Sequence, residues 1–338
     1  MKTSRRSATA TVATLVAAMA LLVVFSLLDL SWAGGSSLSL KEVWDAIWGH
    51  GTWAADIIVN GQNMPRIATG ICVGAGLAVT GGVMQAVFRN PLATPYILGL
   101  SSGASLGAAV AILLSVTLLQ PLLAFIFCFG TMLLVYTISR SGGSVVRTET
   151  LVLAGVAVSS LISAMVSFLT YIAPSEKMGS IVFWSLGSLS GTGWEDIALM
   201  APVIAAGVVL MVTQSRNLNA MMLGDAHAMD LGVDVRRTRL LLLAVSSLVV
   251  AACVCFVGTI GFVGLVIPHI IRLLLGPDNR IILPLSAAGG AAFVIMCDYI
   301  AHFVAPYYGV LPMGVVTSLI GAPFFIYLLC ARKREVGW

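Results

Sequence analysis

The sequence predicts an all-α, polytopic membrane protein of ten transmembrane helices, and three observations carry that prediction. Of 338 residues, 59% are hydrophobic and only 9% charged, with a mean hydropathy of +1.02. A soluble domain covers itself with about 25% charged residues, so most of this surface faces something other than water. Uncharged windows long enough to cross a bilayer core of about 30 Å recur along the chain. The basic residues, finally, divide unequally between alternate connections. Soluble enzymes and disordered tails are excluded, and a net charge of +4 is too small and scattered for a nucleic-acid footprint.

The elements follow in order. A first span is expected over 7–28. Lys2, Arg5 and Arg6 precede it as they would a secretory leader, but the uncharged run from Ser7 to Leu28 exceeds the roughly 7–15 residues of a leader's apolar region. A retained helix is therefore expected. Residues 33–64 form an outer loop, with Trp44, Trp48 and Trp53 marking an interfacial segment. The second span, 66–88, carries Gly70 and Gly74 at small-xxx-small spacing, then Gly76, Gly81 and Gly82, which allow close helix approach. Pro91 to Ser139 is uncharged, and a split at Leu119-Gln120-Pro121 gives spans 93–114 and 120–139.

Spans 150–173 and 196–213 come next, separated by an outer segment with Trp184 and Trp194 at interfacial positions. The inner segment 214–239 is the longest and most polar cytoplasmic piece. Asn217 or Asn219 is a candidate N-cap there, and Gly224 and Gly232 bracket a short helix whose Ala226, Met229 and Leu231 stand among acids. Short helices that show apolar groups to the cytoplasm call for a docked partner. Span 239–257 is followed by a short, irregular helix over 261–275, broken off by Gly258-Thr259-Ile260-Gly261 and containing Pro268. Such a helix is tolerated where protein surrounds it. Spans 281–305 and 311–331 complete the set, the last marked by Gly314 and Gly321.

With the N-terminus inside, only Lys41, Arg66 and Lys177 of the 18 basic residues fall outside. That asymmetry supports ten spans with both ends cytoplasmic, and five plus five implies two inverted halves. No internal repeat is visible in the letters.

The chain is poor in reactive constellations. It contains no Gly-x-x-x-x-Gly-Lys-Ser/Thr, no His-Glu-x-x-His and no Gly-x-Ser-x-Gly. No catalytic residue and no metal site is expected, and the six cysteines read as small packing residues. Asp298 and His302, at i,i+4 on one helix face, are the one ionisable pair inside a late span. They sit near its outer end, where a hydrogen-bonded pair is favoured over a proton relay. A proton-coupled secondary transporter using that pair is the main rival reading, with an intramembrane enzyme behind it.

Several stretches resemble the FecCD-type permease subunits of ABC importers, which carry iron-siderophores, haem or vitamin B12. Pro65-Arg66 leads into Gly74–Gly82, then Gln85 through Asn90, Pro91, Pro95, Gly99, Gly103 and Ala104. Leu223-Gly224-Asp225 runs on to Leu231-Gly232-Val233. Gly261, Gly264, Pro268, His269 and Arg272 precede Asp278 and Arg280, and Pro312, Gly314, Thr317, Gly321 and Pro323 close the series. Together they run from about Met64 to Tyr327 in the family's order.

The resemblance implies a type II ABC importer permease of ten helices in the cytoplasmic membrane. It forms a homodimer around a central pathway and works by alternating access. No cofactor is expected on this chain; ATP and Mg would lie on two copies of a separate ATPase, and an extracytoplasmic solute-binding protein would deliver a metal chelate. Leu223, Gly224, Asp225, Ala226, Met229, Asp230, Leu231, Gly232 and Val233 match the segment that couples to the ATPase. Thr148 and Glu149 match the cytoplasmic gate, although the family favours small hydroxyl residues there. Arg66, with Asn63 and His302, matches the binding-protein docking surface. Where the family has Arg-x-Pro-Arg, this chain reads Asn63-Met64-Pro65-Arg66, and His302 replaces a family arginine. Some relatives carry oxyanions, which keeps that cargo open as an alternative.

Overall fold

The computed structural model describes residues 2–33, 36–140 and 148–332. Helix α1 (Lys2–Ser31) ends in a hairpin of two-residue strands, β1 (Trp32–Ala33) and β2 (Ser36–Ser37). The outer loop holds α2 (Leu40–Ile47) and α3 (Trp53–Asp56). Ser39 and Glu42 cap α2 reciprocally, each side chain bonding the other's backbone N–H. A π-helical segment, Ile57–Asn63, then runs without a break into α4 (Met64–Val87).

Helices α5 (Leu100–Leu113), α6 (Gln120–Arg140), α7 (Thr148–Ile172), α8 (Ser175–Leu186) and α9 (Trp194–Thr213) follow. The inner segment forms α10 (Ser215–Met222) and α11 (Asp225–Asp230). Beyond it lie α12 (Val235–Val257), α13 (Val263–Leu275), α14 (Asn279–Phe303), the short α15 (Ala305–Tyr308) and α16 (Met313–Arg332).

Among the described residues, seven helices are long and apolar enough to cross a membrane. Three shorter apolar helices, Leu100–Leu113, Val263–Leu275 and Met313–Tyr327, stand where the third, eighth and tenth spans were expected. The third differs most from expectation. Its first seven residues are not α-helix but a Pro95–Leu98 3₁₀ turn closed by Gly99 at φ 76°, because Pro95 and a left-handed residue cannot continue an α-helix. The outer segment after α7 holds a helix, α8, which carries Trp184. The expected cap at Asn217 or Asn219 is also corrected. Helix α10 begins at Ser215, so both asparagines lie inside it.

The core is centred on α4, which packs against α9, α12, α13 and α14. Its glycines make that possible. A Cβ on Gly74 would collide with the Gly290 carbonyl of α14, and one on Gly81 with the Gly264 carbonyl of α13. The small-residue stripe therefore serves contacts within one chain. Large apolar side chains of α7 and α16, including Leu153, Phe168, Leu319 and Tyr327, remain exposed.

Candidate functional site

The inner face is organised by α10 and α11. Gly224 (φ 125°) and Gly232 (φ 84°) open and close α11 in conformations other residues rarely adopt, so the expected bracketing holds. Ala228 is fully buried against Met221, Ala220 and Val235, with Val233 beside them, and fixes α11 to α10 and α12. Asp225, the first residue of α11, accepts hydrogen bonds at 3.0 Å from the Arg239 guanidinium of α12 and also pairs with Arg89, just past α4. Asp225 is thus an anchor. The remaining expected coupling residues divide cleanly. Leu223, Met229 and Leu231 are 69%, 59% and 67% exposed, and Ala226, Asp230 and Gly232 are exposed with them. An apolar patch held on a charge-pinned frame is what a partner's groove would take.

The same frame reaches α14. Asn219 donates to Asp278 at 2.7 Å and its carbonyl oxygen accepts from the backbone and side chain of Asn279. The Asp278 carboxyl, hydrogen-bonded by Arg280, is pulled down to about 2. Sequence reasoning missed Arg89 and Asn219 as anchors. Each lies far along the chain from its partner, so no local spacing announces the pair.

The gate candidates sit at the start of α7. Glu149 is exposed, and the Thr148 side chain lies outside the described residues, as does the chain from 141 to 147. The family-motif residues mostly shape backbone. The Asn90 side-chain Oδ1 accepts from the Leu92 N–H, turning the chain at Pro91. A Cβ on Gly103 would meet the Phe127 carbonyl at 2.7 Å, and one on Gly264 the Leu77 carbonyl at the same distance. Gly314 lies against the Leu186 carbonyl and Gly321 against the Phe262 side chain. Gly261 has room around it, and Pro312 starts the turn into α16. Pro268 is buried within α13, and Pro323 is exposed within α16. His269 and Arg272 line a cavity of about 280 Å³ with Gln85 and Arg89.

At the opposite end, Asn63, Arg66 and His302 converge as expected, lining a cavity of about 670 Å³ with Gln62, Thr192 and Val310. Their side chains are nonetheless committed inward, which corrects the picture of a free docking arginine. Arg66 is 7% exposed. Its guanidinium lies 3.0 Å from Asp29 of α1, 2.8 Å from Asp298 of α14 and 3.0 Å from His302 Nε2. The His302 Nδ1 lies 2.9 Å from the Asp298 carbonyl. The Asn63 amide reaches the Leu30 carbonyl at 3.3 Å. Docking through Arg66 would require it to leave two carboxylates. Asp29 lies 37 residues from Arg66, so no local spacing announces the pair.

The fold defines a class, a helical protein with seven helices, among its described residues, long and apolar enough to cross a membrane. Residues 18–331 match the FecCD transport family, and the chain belongs to it. It is a permease subunit of the ABC importer type. A cobalamin import system permease of Halobacterium salinarum is 45% identical over 285 residues, 83% of this chain and 75% of that one. A hemin transport system permease of Yersinia pestis is 38% identical across 93% of this chain and 95% of its own. A molybdate import system permease of Haemophilus influenzae is 36% identical across 93% and 94%. A solved structure described as an inward-facing conformation of a metal-chelate type ABC transporter superposes with a TM-score of 0.82 at 34% identity, covering 94% of this chain and 98% of that one.

Proposed function

We propose that this permease moves a metal chelate (an iron-siderophore, haem or cobalamin) inward across the cytoplasmic membrane. It does so as a homodimer on two ATPase subunits, with cargo delivered by a solute-binding protein. The observation that carries this reading is the exposed Leu223–Met229–Leu231 patch, because it is apolar, faces the expected cytoplasm and is braced from behind by Asp225. ATP and Mg bind the ATPase chains. Their closure pushes α10 and α11, and the dimer's inner and outer openings alternate in access. Both termini lie in the cytoplasm. The chain contributes differential stability between two packings and no covalent chemistry. Cobalamin and hemin relatives support a bulky chelate; the molybdate relative keeps oxyanion import as the second reading.

The test places Leu231→Glu and Gly224→Glu in the complete complex, in proteoliposomes loaded with ATP. Both variants are expected to insert normally and to lose at least tenfold of ATP-driven uptake. Full uptake by Leu231→Glu would sink the coupling assignment. Uphill uptake by the chain alone under a proton gradient would instead establish a secondary transporter.

A further inference from the structure

The ionisable side chains gathered where α1, α4 and α14 meet at their outer ends do not balance. Arg66 supplies one positive charge, and Asp29 and Asp298 would supply two negative ones. Both acids are out of water, at 0% and 1% exposure. His302 does not make up the difference. Its Nε2 lies 3.0 Å from Arg66 Nη1, a group that only donates, so Nε2 accepts and carries no hydrogen. The ring's one hydrogen is then on Nδ1, facing the Asp298 carbonyl, and the imidazole is neutral. The neighbouring π segment contributes Asn63 and the hairpin Trp32, neither of them charged.

A buried excess charge is costly. The Oδ2 atom of Asp29 is, moreover, buried without a hydrogen-bond donor, whereas Asp298 Oδ2 lies 2.8 Å from Arg66 Nε. Carboxyl oxygens of the two acids and a ring nitrogen of His302 lie within 4.8 Å of one another. One added hydrogen ion cancels the surplus and gives one orphaned oxygen a bond to make, which is how crowded carboxylates settle elsewhere. A divalent cation could use the same donors, but the Arg66 guanidinium already lies against both acids.

We infer that Asp29 and Asp298 form a carboxyl pair holding one shared proton at neutral pH, a proton-binding site that ties three helices together and opens to the outer cavity lined by Arg66 and His302. The inference rests on this cluster alone and stands or falls independently of the cargo and of the ATPase.

The experiment uses the full chain in lipid nanodiscs, reading thermal unfolding against pH and the infrared carbonyl stretch of protonated carboxyls. A shared proton makes the folded state bind more hydrogen ions than the unfolded chain above about pH 4, so stability falls as pH rises and levels once the proton leaves. Relative to Asp298→Asn, the wild-type midpoint is therefore expected to fall with rising pH. A protonated-carboxyl band should be present at neutral pH and absent in Asp29→Asn or Asp298→Asn. Each single variant keeps a midpoint at or above wild type at neutral pH. The double variant, which strands Arg66, loses many degrees. His302→Gln retains both the band and the pH slope. The inference is overturned if the wild type shows no such band, or if either single variant is as damaging as the double. Loss of the slope in His302→Gln, which would put the proton on the imidazole, overturns it too. So does a divalent cation that raises the midpoint of the wild type but not of Asp298→Asn.

Discussion

Gly99 shows how much one backbone angle decides. At φ 76° it closes the 3₁₀ turn and starts α5, and a Cβ there would meet Thr131 Cγ2 at 2.9 Å and Ser159 Oγ at 3.0 Å. Gly99→Ala is expected to cost about 1–3 kcal/mol, from left-handed strain and crowding together, read as a lower unfolding midpoint in detergent. The residue was legible as a motif glycine, yet its angle was not. Arg66 illustrates the complementary blind spot. Its neighbour Pro65 and its outer position were plain in the letters. Its partners Asp29 and His302, 37 and 236 residues away, became neighbours only through helix packing.

At the scale of elements, each apolar window holds an apolar helix, seven of them long enough to cross a membrane and three shorter, because bilayer thickness sets a length that composition must honour. Exceptions fall where Pro and Gly override hydropathy, as before α5. A second feature was invisible in the sequence: the left-handed residue ahead of α5, Gly99, has a counterpart ahead of α13, Phe262 at φ 64°. The helix two spans on supports each turn through a glycine, Gly155 of α7 against the Ile97 carbonyl and Gly321 of α16 against the Phe262 side chain. Third and fifth spans thus repeat in the eighth and tenth, as two related halves of five would. The repetition also yields a comparison. Gly155→Ala drives a methyl deep into the Ile97 carbonyl, whereas Gly321→Ala meets Phe262 Cβ and Cγ at 2.6 Å, a shallower overlap. Gly155→Ala is expected to lower the unfolding midpoint more than Gly321→Ala does, and an equal loss would contradict this account of the contacts.

For the whole molecule, the distribution of basic residues predicts an orientation that can be measured directly. Leu118, between α5 and α6, is 96% exposed and assigned outside; Leu231 is 67% exposed and assigned inside. In a background lacking the exposed Cys330, an impermeant maleimide should label Leu118→Cys in intact cells and Leu231→Cys only after permeabilisation. The reverse pattern would invert the topology. The sequence states this global layout as an expectation, summed over many residues. It conveyed the cargo poorly, since the spans contain few polar groups with which to recognise one.

Helix α4 has an ionic grip at both extremities. Arg89, beyond its last turn, clasps Asp225, and Arg66, in its first turn, clasps Asp29 and Asp298. Its 24 residues span about 36 Å with no proline past the opening turn. A single helix thus ties α11 at one end of the molecule to α1 and α14 at the other.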